Sequence, residues 1–116
     1  MVSWYRDTLG FTVFAQGTVG QRNIRYALLK QDGALLEMLQ WPDARPLKQA
    51  APATSDPVEI HGFFKSGVVV TDVRAVHDRL QALGVAFDYD LQEHPGGYRS
   101  FGIRDPEGNL LQIFGM

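Results

Sequence analysis

A carboxylate and an amide occupy matching points in two apolar stretches. Glu37 interrupts Leu35-Leu36-Glu37-Met38-Leu39, and Gln112 interrupts Leu110-Leu111-Gln112-Ile113-Phe114. A carboxylate among apolar neighbours is costly unless a metal, a cation or a proton satisfies it. An amide oxygen can coordinate a metal too, but weakly and without charge. Three histidines add imidazole chemistry, and the absence of cysteine excludes thiolate chemistry and disulfides. His61 falls in a connecting stretch, His77 one step off the apolar stripe of a helix, and His94 in a turn before Pro95-Gly96-Gly97. Each reads as a surface or supporting residue rather than a ligand.

Glu37 and Gln112 match because the chain repeats itself. Leu9-Gly10-Phe11-Thr12-Val13 recurs as Leu83-Gly84-Val85-Ala86-Phe87, an offset of 74 residues. Asp32-Gly33-Ala34-Leu35-Leu36-Glu37 is answered by Glu107-Gly108-Asn109-Leu110-Leu111-Gln112, an offset of 75. The chain is therefore built from two copies of one unit.

The elements that position these residues follow from hydrophobic pattern and turn chemistry. Residues 2–9 read as a helix stopped by Gly10, with strands over 11–16, 23–30 and 34–41. Gln31-Asp32-Gly33 marks a hairpin. Residues 42–57 hold four prolines and, with the residues to 61, form a linker long enough to act as a flap over a site. In the second half, a strand over 65–71 leads to a helix over 73–83, capped by Asp72, with Val73, Val76, Leu80 and Leu83 on its apolar face. Strands over 85–91, 98–104 and 110–114 complete it. The second copy thus runs strand, helix, three strands, whereas the first begins at its helix. The domain expectation is an incomplete first module over 1–41, a linker over 42–61 and a second module over 62–116, sharing one compact domain.

A chain of 116 residues that is 45% hydrophobic supports a packed core. A net charge of −2 with no basic run speaks against nucleic acid. No apolar run is long enough for a membrane span, and Met1 starts no signal-peptide pattern, so the expectation is a cytoplasmic protein.

Trp4-Tyr5-Arg6-Asp7-Thr8-Leu9-Gly10-Phe11 and Asp105-Pro106-Glu107-Gly108-Asn109-Leu110 resemble the two signature stretches of the vicinal oxygen chelate superfamily. It includes glyoxalase I, extradiol dioxygenases and the bleomycin and fosfomycin resistance proteins. The resemblance covers nearly the whole chain. It implies an α+β fold of two βαβββ modules curled into an incomplete barrel around a pocket, the first module lacking its first strand. Three explanations of that lack stay open: a trimmed sequence, an edge covered by a partner subunit, or a helix that packs differently. The family's tendency to dimerise favours the second and implies a homodimer.

Metal-dependent members hold a divalent ion with ligands from the first and last strands of each module. Carried over, those positions are Glu37, Lys65 and Gln112, the fourth falling before Met1. Glu37 matches as a metal ligand, Lys65 has no lone pair to offer when charged, and Gln112 stands where the family usually has Glu. The resemblance therefore implies a metal-free arrangement in which the Lys65 ammonium replaces the ion's charge, Glu37 faces it and Gln112 bridges. Tyr26, Trp41, Tyr98, Arg99 and Phe101 lie on strands that would line the pocket. Aromatics with polar tips suit a flat organic ligand, and Arg99 suits an anionic group on it. The leading expectation is a small-molecule-binding protein without a catalytic metal. The alternatives are a lyase, isomerase or dioxygenase dependent on Zn, Ni, Mn or Fe, and a metal-free enzyme using Lys65 as base or Schiff-base nucleophile.

Overall fold

The computed structural model describes residues 1–46, residue 49 and residues 65–116. His61 and most of the 42–61 linker lie outside the described residues. The fold is α+β, and the chain divides into two compact units, Val2–His61 and Gly62–Met116.

The first unit opens with α1 (Val2–Leu9) and continues with β1 (Thr12–Val19), β2 (Ile24–Gln31) and β3 (Ala34–Gln40). These strands form an antiparallel sheet in the order β1-β2-β3. Gln31 pairs with Ala34 across the two-residue loop Asp32-Gly33. Both loop residues have positive φ, 45° and 83°, which is the twist a tight hairpin needs and which Gly supplies without strain. Strand alternation then sorts the side chains. Ala27 and Leu29 are buried on one face. Tyr26, Leu28, Glu37 and Leu39 lie on the other, because Leu28 pairs with Glu37 and Tyr26 with Leu39.

The second unit holds β4 (Ser66–Val69), α2 (Val73–Ala82), β5 (Phe87–Glu93), β6 (Arg99–Arg104) and β7 (Leu110–Gly115). Its sheet order is β4-β7-β6-β5, with β4 parallel to β7 and the other pairs antiparallel. Asp72 caps α2, accepting the Ala75 N–H at 2.9 Å, as Asp at an N-cap is expected to do. The apolar face of α2 differs from the sequence expectation. Val73, His77 and Leu80 are buried, whereas Leu83 is 55% exposed. Residues at i, i+4 and i+7 share a helix face, and the helix ends at Ala82, so Leu83 lies past it.

β6 and β7 place Phe101, Ile103, Leu111 and Ile113 towards α2 and bury them. The helix sits so close that a Cβ on Gly115 would lie 2.7 Å from Val73 Cβ. Register breaks in β5 at Phe87/Tyr89 and Tyr89/Gln92 interrupt the alternation. Phe87 therefore meets α2 through His77, while Tyr89, two residues on, lies across Gly102 on the opposite face.

Candidate functional site

The face of the second sheet turned away from α2 carries a polar cluster. Its centre is Ser100, fully buried on β6. Gln112 Nε2 donates to Ser100 Oγ at 3.2 Å. His94 Nε2 lies 2.7 Å from the same oxygen, and the Tyr89 hydroxyl 3.2 Å from it. The sheet brings these groups together by register. Gly102 pairs with Gln112 and Ser100 with Phe114, so all four positions face one way. Gly102 is needed there, since a Cβ would come within 2.5 Å of the Tyr89 ring. The turn after β5 delivers His94 through His94 N–H to Tyr98 O at 2.9 Å. The His94 ring stacks on Tyr98, centroids 4.6 Å apart at 18°, and Tyr98 lies 6.3 Å from Phe114. The result is an aromatic surface set with a hydroxyl, an amide and an imidazole.

The sequence-derived site residues distribute as follows. In the second unit, Gln112 and Tyr98 lie on this face, and Lys65 is exposed one residue before β4. Arg99 and Phe101 do not lie on it, which corrects their expected placement. Arg99 pairs with Gly115 and Phe101 with Ile113, and both partners face α2. Phe101 is fully buried, with its ring 5.3 Å from His77 and 5.5 Å from Phe87. Successive strand residues alternate faces, so Tyr98, Ser100 and Gly102 lie on one side of β6 and Arg99 and Phe101 on the other. In the first unit, Tyr26 and Glu37 share a face and Glu37 is exposed. Trp41 follows β3 and is 45% exposed. A depression of ≈ 450 Å³ at the β2–β3 hairpin is bordered by Gly10, Lys30, Gln31 and Leu35 and by none of the expected site residues.

Sequence reasoning passed over Tyr89 and Ser100 and read His94 as a surface or supporting residue. His94 alone carried a signal, being a histidine in the turn that precedes β6. His77, read from sequence as a surface or supporting residue, is 7% exposed. His77 lies among Phe87 and Phe101 with a carboxylate at each ring nitrogen: Asp78 Oδ1 is 3.0 Å from Nδ1 and Asp90 Oδ1 is 2.6 Å from Nε2. A neutral imidazole has one N–H and could donate to only one of them. The Asp78 hydrogen bond, supported by Asp90, raises the His77 pKa against the opposing effect of burial. The Asp90 pKa is lowered by the Leu91 N–H and then by His77.

The carried-over positions offer one carboxylate, one ammonium and one amide, and the amide nitrogen of Gln112 already donates to Ser100. Among the described residues, no three His, Cys, Asp or Glu side chains are gathered as a metal would require. No helix among the described residues is long and apolar enough to cross a membrane.

Residues 1–113 match the family model described as Glyoxalase/Bleomycin resistance protein/Dioxygenase superfamily. No curated protein matches the chain. Among solved structures, TioX from Micromonospora sp. ML1 is 25% identical, with 99% of this chain and 84% of that one covered and a TM-score of 0.67. The glyoxalase family protein from Enterococcus faecalis is 21% identical over 96% and 82%, with a TM-score of 0.77. A glyoxylase/bleomycin resistance protein/dioxygenase domain from Frankia sp. EAN1pec is 19% identical over 97% and 84%, with a TM-score of 0.74.

Proposed function

We propose that this chain, which belongs to the Glyoxalase/Bleomycin resistance protein/Dioxygenase superfamily, binds a small organic molecule without a catalytic metal. The observation that carries the reading is the state of Gln112. At the position where metal-dependent relatives would present a carboxylate, this chain has an amide that donates to a buried serine. That arrangement puts a neutral amide at this position, which offers a cation no anionic oxygen.

The surroundings suit an organic ligand. Tyr98 is 40% exposed and stacks on His94, which presents a flat surface for a planar ring. Tyr89, His94 and Gln112 supply polar atoms that would orient it, the usual division of labour in a small-molecule site. On this reading the protein sequesters its ligand rather than transforming it, and functions as a homodimer in the cytoplasm.

Affinity selection tests the reading. The protein is incubated with a mixture of planar aromatic compounds and desalted, and the retained species are identified by mass spectrometry. An intact compound retained by the wild type and lost from Tyr98→Ala is the expected result. Conversion of the compound to a product, or equal retention by the variant, would overturn it.

A further inference from the structure

We propose that Ser100 couples the charge of His94 to the hydroxyl of Tyr89, giving this face two hydrogen-bonding polarities that select between donor and acceptor ligands. The inference rests on the small-molecule reading above.

The argument is a proton count. A serine hydroxyl has one proton and two lone pairs. Three groups converge on Ser100 Oγ: Gln112 Nε2 at 3.2 Å, His94 Nε2 at 2.7 Å and Tyr89 Oη at 3.2 Å. The Gln112 amide nitrogen can only donate, which occupies one lone pair. One lone pair and one proton remain, so His94 and Tyr89 must take opposite roles.

With His94 neutral, the phenol is the strongest acid of the chain and the imidazole nitrogen the strongest base. Tyr89 donates to Ser100 and Ser100 donates to His94 Nε2, an order in which the serial bonds reinforce each other. Tyr89 then directs its proton inward and offers a ligand only lone pairs, which suits a ligand with an N–H or O–H group. Protonated His94 has two N–H donors and no acceptor. Its Nε2–H now donates to Ser100, the Ser100 proton turns to Tyr89, and the Tyr89 proton turns outward. The face then offers a donor beside a positive charge, which suits the carboxylate or phenolate of a planar organic acid.

Among the described residues of the second unit, the hydrogen bonds to Ser100 Oγ come from these groups. Ser100 is fully buried, and the Tyr98 ring covers His94. β6 adds Gly102 to this side and β7 adds Phe114, neither of which ionises. Of the charged residues on the packed elements, Glu93 pairs in register with Arg99 on the α2 side, Arg104 binds Asp88 at 2.6 Å, and Lys65 precedes β4.

NMR of ¹³C-labelled protein followed from acid to neutral pH, with the His94 Cε1 resonance as its own reporter of imidazole charge, tests the coupling. In the wild type, the Tyr89 Cζ resonance is expected to step with the His94 Cε1 resonance. In Ser100→Ala the His94 step persists and Tyr89 goes flat. His94→Phe keeps a stacking ring without a titrating group and also flattens Tyr89, so the test survives if Ser100→Ala does not fold. A flat Tyr89 in the wild type, or a step that persists in either variant, would overturn the relay. Benzoate is the ligand probe. Its affinity should fall about tenfold from the lower to the higher pH, within the usual range for coupled sites, and be independent of pH in His94→Phe. A Tyr89 step with unchanged benzoate affinity would overturn the ligand selection. Failure of benzoate to bind at either pH would count against the small-molecule reading, while the Tyr89 resonance still decides the relay.

Discussion

The two modules share a plan of three antiparallel strands, to which the second adds β4, and they finish the open face differently. In the first, Leu28 lies opposite Glu37, and the carboxylate stays exposed beside Tyr26 and Leu39. In the second, Gly102 lies opposite Gln112, and the space over the glycine admits the Tyr89 ring and its hydroxyl. One side-chain deletion, from a leucine position to a glycine position, makes room for a hydrogen-bonded cluster. The other faces diverge as well, with Ala27 opposite Met38 in the first sheet and Phe101 opposite Ile113 in the second. A duplicated unit therefore supplies equivalent backbone positions, and the volume at each decides whether it becomes core, charge or network.

The largest expected effect comes from erasing the core difference. Phe101→Ala gives the second module the residue of the first and should cost about 3–5 kcal/mol, read from urea denaturation. A loss below about 1 kcal/mol would mean that the fully buried ring is not an organising contact.

Next is the glycine. Gly102→Ala places a Cβ 2.5 Å from Tyr89 Cε1 and 2.7 Å from Cδ1. It should cost about 1–3 kcal/mol by overpacking and move the Tyr89 ring resonances. An unchanged Tyr89 spectrum would break the account of why the second face differs.

The His77 clamp distinguishes the modules by pH. The raised His77 pKa means that its contribution to stability is fully present below the unfolded value, near 6.5, and is lost as pH rises through the folded value. The lowered Asp90 pKa works in the other direction: its contribution is present above the unfolded value and lost as pH falls through the folded one. Thermal melts of the wild type should therefore weaken from mildly acidic to alkaline pH, and Asp78→Asn should shift that decline to lower pH. An identical profile in the variant would remove the Asp78 hydrogen bond as the main cause.

The smallest effect is expected at Glu37. Exposed on its sheet, it should change stability by less than about 0.5 kcal/mol when replaced by Gln. A larger loss by calorimetry would show that the first face is organised around this carboxylate after all.

Much of this architecture was legible in the sequence because it is written in local chemistry. The Asp32-Gly33 hairpin, the Asp72 cap and the helix over residues 2–9 each depend on residues within one turn, and the helix has those bounds. The internal repeat aligned Glu37 with Gln112 correctly as equivalent strand positions. The site was less legible. Strand alternation assigns faces only if register is known, and the sequence put Tyr98, Arg99 and Phe101 on one pocket-lining strand without separating their faces. The two breaks in β5 have no local signature, yet they put Phe87 and Tyr89 on opposite faces. His77 looked peripheral because its burial depends on Phe87 and Phe101, residues distant in sequence. Ser100 carries no signal at all, since its importance lies in the three groups that the sheet brings to it.

The most direct test of the central claim is elemental analysis of the purified protein after dialysis against Zn²⁺, Ni²⁺, Mn²⁺ or Fe²⁺ and removal of free metal. With an amide at Gln112 and an ammonium at Lys65, the retained metal should be below about a tenth of an equivalent, because neither group supplies the anionic or imidazole donors that hold such ions. Retention near one equivalent would contradict the account and move a metal-dependent reaction to first place.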